Sequence, residues 1–306
     1  MSIAIDRVIQ KLDEHLNRND LAAAERLLSY WRAEAEVSDD ERARLTLLNE
    51  QIGLYRKLGK EKECLAAVEA VLSFPEVWAA AQGRDATQSE NKEKNSKADF
   101  SISDATTLVN AATGLKAFGR AKEALPLYEA AKRIYEQAFL PRNAAENGRA
   151  EQSTDPRLAG LYNNMALCLM DLGGFDRAEE LFQKAMSVMA LTDQGEAEMA
   201  VTCCNLADLY AKRSGLFGSM QEEKIPAAEE AIGDPAEQAV KAIEGFMERA
   251  EALLDSAALK HDGHYAFVCE KCAPVFGCYG YFAAEKKYAE LAKSIYAANG
   301  QDAVRE

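Results

Sequence analysis

The sequence predicts an all-α fold, an α-solenoid of about six stacked helical hairpins, and three observations carry that prediction. Alanine, the strongest helix former, is the commonest residue at 55 of 306, while the breakers Pro and Gly number only 7 and 18. Few β-branched residues alternate with polar ones over the length of a strand. A pattern also recurs along the chain: an apolar-periodic helix ends at a glycine, a tight turn follows, and a second amphipathic helix begins. The physical logic is that of a hairpin. Glycine accepts the left-handed conformation that stops the first helix, and a small residue early in the second lets two backbones approach.

Taken in order, the first hairpin spans residues 4–36 and is marked by Val8, Leu12, Ala24, Leu28 and Trp31, with Asn19-Asp20 where the others have the turn glycine. The second, 41–74, carries Leu48, Ile52, Tyr55, Gly59, Cys64, Val68 and Val71. The third, 103–138, carries Leu108, Ala112, Leu115, Gly119, Ala124, Tyr128 and Ala131. The fourth, 157–190, is the most regular: Tyr162, Met165, Ala166, Leu169, Gly173, Ala178, Phe182 and Ala185. In the fifth, 197–256, Leu206, Ala207 and Tyr210 mark one helix and Ile243, Met247 and Ala250 the other, with an insertion over 214–239. The sixth, 263–298, opens with Cys269, Cys272, Ala273, Phe276 and Gly280 and closes near Tyr296. Pro274 inside its first helix predicts a kink or an early end there, and the distorted hairpin suits a C-terminal cap. Polar stretches at 83–101 and 141–156 read as loops. Ser219–Glu237, with six acids against one Lys, reads as an acidic flap or an extra short helix. The register resumes after each insertion, so a single domain over 1–306 is expected.

Charge and cysteine usage narrow the function classes. With 36 Lys+Arg against 50 Asp+Glu, the net charge is −14. That argues against a phosphate-tracking nucleic-acid binder or an anionic-membrane binder, since both need a basic face. No stretch approaches 18 uncharged apolar residues, the length that spans a bilayer. Residues 1–16 carry Asp6, Asp13 and Glu14 and lack the signature of a signal peptide. The seven cysteines are odd in number and fall mostly inside apolar helical patterns. That points to a reducing compartment, and so to the cytoplasm.

The marked positions resemble the tetratricopeptide repeat family. The fourth hairpin matches its pattern at every signature position, the third nearly so, and the second is degenerate, with Ile52 where a small residue is usual. Equivalent second-helix positions lie farther apart than the plain repeat's 34 residues; Ala24 to Cys64 is 40 and Ala124 to Ala178 is 54. The helices therefore resemble those of the longer-helix subgroup typified by kinesin light chains. The resemblance implies a right-handed superhelix whose concave groove, lined by the first helix of each hairpin, takes a protein or an extended peptide. It implies a binding scaffold rather than an enzyme.

Alignment of the hairpins puts Asn110, Asn164 and Asn205 at one position, two residues before the small residues Ala112, Ala166 and Ala207. Asparagine is a poor helix former, so three at one inward point want a reason. The resemblance implies that these amides hydrogen-bond the backbone of a bound peptide; the competing reading is that they fill polar slots between helices. The matching position is Glu50 in the second hairpin and Lys271 in the sixth, so the ladder has at most three rungs. Asn163, Asp208, Lys116, Thr113, Asp171 and Lys212 complete a groove of mixed charge. The family's basic clamp for a terminal carboxylate is not evident, and the net charge favours a partner with basic residues.

The segment HDGHYAFVCEKC sets His261 and His264 beside Cys269 and Cys272, ligand types that suit zinc. The cysteines, however, fall at core positions of a helix, where a free thiol behaves as a small apolar residue. Packing is thus the preferred reading, and no cofactor is expected. A thiol-redox role would need the pair at a helix N-terminus after a strand, and neither condition is met. No nucleophile motif, HExxH or phosphate-cradling glycine loop occurs, so no enzyme is expected. Two further readings stand beside the scaffold: a peptide-sensing regulator resembling bacterial ones but without a DNA-binding domain, and a metal- or redox-linked module. Self-association through the solenoid ends stays open.

Overall fold

The structure is a computed structural model that describes residues 3–82, 94–139, 155–216 and 235–302. Among the described residues there are thirteen helices and no strand. Six antiparallel hairpins account for twelve of them. They pair α1 (Ile5–Asn17) with α2 (Leu21–Val37) and α3 (Glu41–Leu58) with α4 (Glu61–Leu72). After α5 come α6 (Lys94–Ala117) with α7 (Ala121–Phe139), and α8 (Pro156–Asp171) with α9 (Phe175–Met189). The last two pair α10 (Gly195–Ser214) with α11 (Pro235–Leu254), and α12 (Gly263–Cys278) with α13 (Phe282–Asp302).

Local chemistry sets the turns. Gly59, Gly119, Gly173 and Gly280 adopt φ of 67°, 76°, 79° and 85°, the left-handed region that ends a helix and that a side chain resists. In the first hairpin Asn19 takes this conformation instead, at φ 55°, which asparagine tolerates better than other non-glycine residues. Asp20 then caps α2 by accepting from the Ala23 amide at 3.0 Å, and Asp40 caps α3 the same way through Ala43.

Three features depart from expectation. A seven-residue helix, α5 (Pro75–Ala81), follows the second hairpin, starting at a proline in its first turn and burying Val77 against α6 and α7. Helix α6 begins at Lys94, inside the stretch read as a loop through Ser101, because neither Gly nor Pro interrupts residues 94–113. Pro274 does not end α12, which runs on to Cys278. The proline is exposed and forfeits only the bond to the Glu270 carbonyl, while buried Cys272, Ala273 and Phe276 hold the turns on either side. The other expected loop, 141–156, falls outside the described residues except for its last two positions, as does the acidic insertion except for its last three.

The hairpins stack in chain order, each against the next, as a repeat array does. The core divides into three clusters. A small N-terminal one is built on Val8, Leu12, Leu28 and Leu47, and the large central one on Leu108, Tyr128, Leu161 and Phe182. A C-terminal one is built on Met247, Tyr265, Phe276 and Tyr288. The array is not open-ended: α1 also touches α12, so its first hairpin meets its last. Among the described residues no single helix is long and apolar enough to cross a membrane.

Candidate functional site

The first helices of hairpins two to six lie side by side, with α3 against α6, α6 against α8, α8 against α10 and α10 against α12. The groove positions inferred from sequence all fall on these helices, and their surroundings divide them into two kinds.

Some are occupied by neighbouring hairpins. The Asn110 side chain donates to Asn49 Oδ1 at 3.0 Å, and Asn49 in turn donates to Thr107 Oγ1 at 2.9 Å and to the Leu45 carbonyl at 3.0 Å. This small network ties α6 to α3. Asn163 is buried and donates to Thr202 Oγ1 of α10 at 3.0 Å, while Thr202 can itself donate to the Glu198 carbonyl at 2.9 Å. The Thr113 hydroxyl lies 2.7 Å from the Val109 carbonyl and 2.9 Å from the Tyr128 hydroxyl, whose pKa burial pushes up. Asp208 accepts from the Tyr279 hydroxyl at 2.7 Å, joining α10 to the end of α12. Burial raises its carboxyl above the usual range, opposed by that hydrogen bond and by Lys212.

Others face outward. Asn164 and Asn205, equivalent on α8 and α10, are partly buried yet have no hydrogen-bond partner among the described residues. One or two turns further on, Asp171 sits between Lys116 of the preceding hairpin, at 3.4 Å, and Lys212 of the following one, at 3.8 Å. The first-helix face therefore carries, on the neighbouring helices α8 and α10, two amides unpaired among the described residues, with a lysine–aspartate–lysine row further along. Lys271 lies apart from these, its ammonium 4.5 Å from the centre of the Phe267 ring. At the other non-asparagine rung, burial and the nearby Asp13 of α1 raise the Glu50 carboxyl.

The histidine–cysteine segment does not converge. His261 stacks on Tyr265 at 4.5 Å, and His264 Nε2 lies 3.4 Å from a Glu198 carboxylate oxygen. Cys269 and Cys272 are buried in α12, and burial lifts the Cys269 thiol to about 11. The hydrogen bond of Cys204, on α10, with Cys272 raises the Cys204 thiol, with burial adding to it. Among the described residues no group of three or more His, Cys, Asp or Glu is placed to hold a metal ion.

Sequence reasoning missed Asn49, Thr202 and Tyr279, the partners that divide the groove positions, and it missed Lys57. This lysine, near the end of α3, donates to Asn19 Oδ1 in the α1–α2 turn at 3.2 Å. Its ammonium also lies 3.8 Å from Glu270 Oε2 and 5.5 Å from the Phe267 ring centre, both on α12. Beside it Asn299 of α13 donates to the Asn17 carbonyl at 3.3 Å, and a cleft of ≈ 440 Å³ opens between Glu14, Arg18, Asp262 and His264. No residue spacing signalled these contacts, since Asn17 and Asn299 are 282 residues apart.

Residues 105–143 and 158–190, hairpins α6–α7 and α8–α9, match the model of the tetratricopeptide repeat family. Among solved structures the chain is similar to BtubC (BKLC) from P. vanneervenii, at 19% identity over 97% of this chain and 92% of that one, with a TM-score of 0.42. It is also similar to the nearly identical TPR-like repeats of a Podosopora anserina putative kinesin light chain, at 16% identity over 83% and 96%, with a TM-score of 0.44. No curated protein matches the chain in sequence.

Proposed function

We propose that this chain, whose third and fourth hairpins match the tetratricopeptide repeat model, is a binding scaffold that takes an extended peptide segment of a partner protein on its first-helix face. The observation that carries the reading is the pair Asn164 and Asn205: equivalent, partly buried and without a partner among the described residues, where Asn110 and Asn163 are already spent. A carboxamide offers a donor and an acceptor together, so it matches a peptide unit whatever side chain that unit bears. Helices anchored by buried cores on both sides hold the two amides in place, which limits the entropy lost on binding.

Side-chain selection would fall to Lys116, Asp171 and Lys212. A basic side chain of the partner competes with the two lysines for Asp171, and the net charge of −14 favours such a partner's approach. The role is recognition without catalysis and needs no cofactor. The buried free thiols fit a reducing compartment such as the cytoplasm.

The test is selection of peptides from a displayed random library on the full chain, followed by titration calorimetry of the winners against wild type and Asn164→Ala/Asn205→Ala. The reading expects at least a tenfold weaker Kd in the double variant with unchanged helical circular dichroism, about 1.4 kcal/mol or more. Equal affinity for both proteins overturns it.

A further inference from the structure

We infer that the repeat array is a latched ring: its first two hairpins meet its last across a polar, salt-sensitive seam that opens while the hairpins themselves stay folded.

The latch centres on Lys57. Its ammonium gathers Asn19 from the first turn with Glu270 and Phe267 from α12, so one side chain touches both ends of the array. Asn299 of the last helix adds a bond to the Asn17 carbonyl at the end of α1. The backbone is shaped for this approach at Gly263, the first residue of α12. A Cβ there would lie 2.4 Å from Asn17 Oδ1 and 3.5 Å from the Asn17 Cα. Any side chain at 263 would therefore have to push the Asn17 amide aside.

The seam differs in kind from the joints between successive hairpins. Those joints are closed by buried apolar side chains, and the central and C-terminal clusters share flanking residues such as Met186, Tyr210 and Phe246. The N-terminal cluster includes nothing from α12 or α13, and the C-terminal cluster includes nothing from α1 to α3. What closes the ring is an ion pair with side chains 31% and 47% exposed, one hydrogen bond at an exposed site, and a ring flanked by two lysines, one from each side. Exposed contacts of this sort are individually weak, and the ion pair and the cation–ring contact among them are screened by salt. The seam is therefore the joint that parts first, and it parts without exposing an apolar core.

Pulsed electron–electron distance measurement tests this directly on the full chain. Nitroxide labels go on Val37→Cys and Phe282→Cys, both exposed, in a Cys278→Ser background, the other six cysteines being buried. Raising KCl from about 20 mM to about 500 mM shortens the screening length from roughly 20 Å to about 4 Å. The latch expects one narrow distance at low salt and a second, longer population at high salt. Lys57→Glu should produce the longer population already at low salt, and Lys57→Glu/Glu270→Lys should restore the short one. Gly263→Val, which acts by steric wedging rather than charge, should open the ring independently of salt. One unchanged distance in all samples overturns the proposal, as does a broad distribution in the wild type at low salt. The readout contains no peptide, so a static ring refutes the latch and leaves the scaffold reading standing. Intact binding by the Asn164→Ala/Asn205→Ala variant does the reverse.

Discussion

Two neighbouring asparagines should behave oppositely when replaced. Asn163 points at Thr202 of the next hairpin and is 7% exposed; Asn164, one residue on, is turned about 100° around the helix and has no partner among the described residues. Thr202→Val leaves the Asn163 amide buried without its acceptor, which costs about 1–3 kcal/mol. Asn163→Leu removes the donor, but Thr202 keeps its bond to the Glu198 carbonyl, so the cost falls near 1 kcal/mol plus any misfit. The double variant replaces the pair by apolar groups and should cost less than the two singles together, by roughly 1–2 kcal/mol. Asn164→Ala should lie within about 0.5 kcal/mol of wild type, on the stabilising side, since alanine is the better helix former. Urea unfolding followed by circular dichroism and by tyrosine fluorescence measures these differences. Repeat arrays can unfold in parts, so equal slopes across variants are required before midpoints are compared. Strict additivity of the Asn163 and Thr202 changes, or a cost at Asn164 as large as at Asn163, would refute the division of the face into spent and available amides.

Other outcomes follow from burial and backbone. Asp104 is 4% exposed, and burial, with Glu76 adding, pushes its carboxyl up to about 7. A folded value above the unfolded one means that this group's contribution is fully present below about pH 4 and is lost as pH rises from about 4 to about 7, by up to roughly 4 kcal/mol. Asp104→Asn should flatten that slope in urea midpoints taken from pH 5 to pH 8. Gly173→Ala has open space around the new methyl but must hold φ at 79°, so about 1–2 kcal/mol of pure backbone strain is expected in the same assay. Phe182, fully buried in the fourth hairpin, should cost about 3–5 kcal/mol as Phe182→Ala and lower the melting temperature accordingly.

What was legible in the sequence was local. Gly59, Gly119 and Gly173 could be read as turn residues because the left-handed conformation admits few alternatives, and Asn19 shows what the main alternative looks like. The core positions of the fourth hairpin followed from helical period together with the recurring hairpin pattern. The groove was legible only as a set of helices. Period and alignment put Asn163 and Asn164 on the same inner stretch, but which of them faces the next hairpin depends on how α8 packs against α10. Asn110 shows the same limit, since its partner Asn49 lies 61 residues earlier, one position before the aligned Glu50. Pro274 did not end its helix for a related reason: the rule that proline ends a helix weighs one lost bond, whereas Cys272, Ala273 and Phe276 supply buried contacts on both sides of it.

Ring closure was the least legible feature, because it belongs to no repeat. Each hairpin adds a rotation, and only the sum over six brings α1 to α12. Lys57, Glu270 and Asn17 taken singly are ordinary exposed residues and Phe267 an ordinary half-buried one, and Gly263 after a capping aspartate looks like a common helix start. Closure changes what the end repeats must do. An open array needs terminal caps to cover its last apolar faces. Here each end lends the other a partner, but only a polar one, so each end hairpin must already be finished on its outer side. The small N-terminal cluster of Val8, Leu12, Ala24 and Leu28 fits that demand, for it is completed by α3 rather than by the hairpin across the seam. A ring built this way can part without unfolding either end, which an apolar seam would not allow.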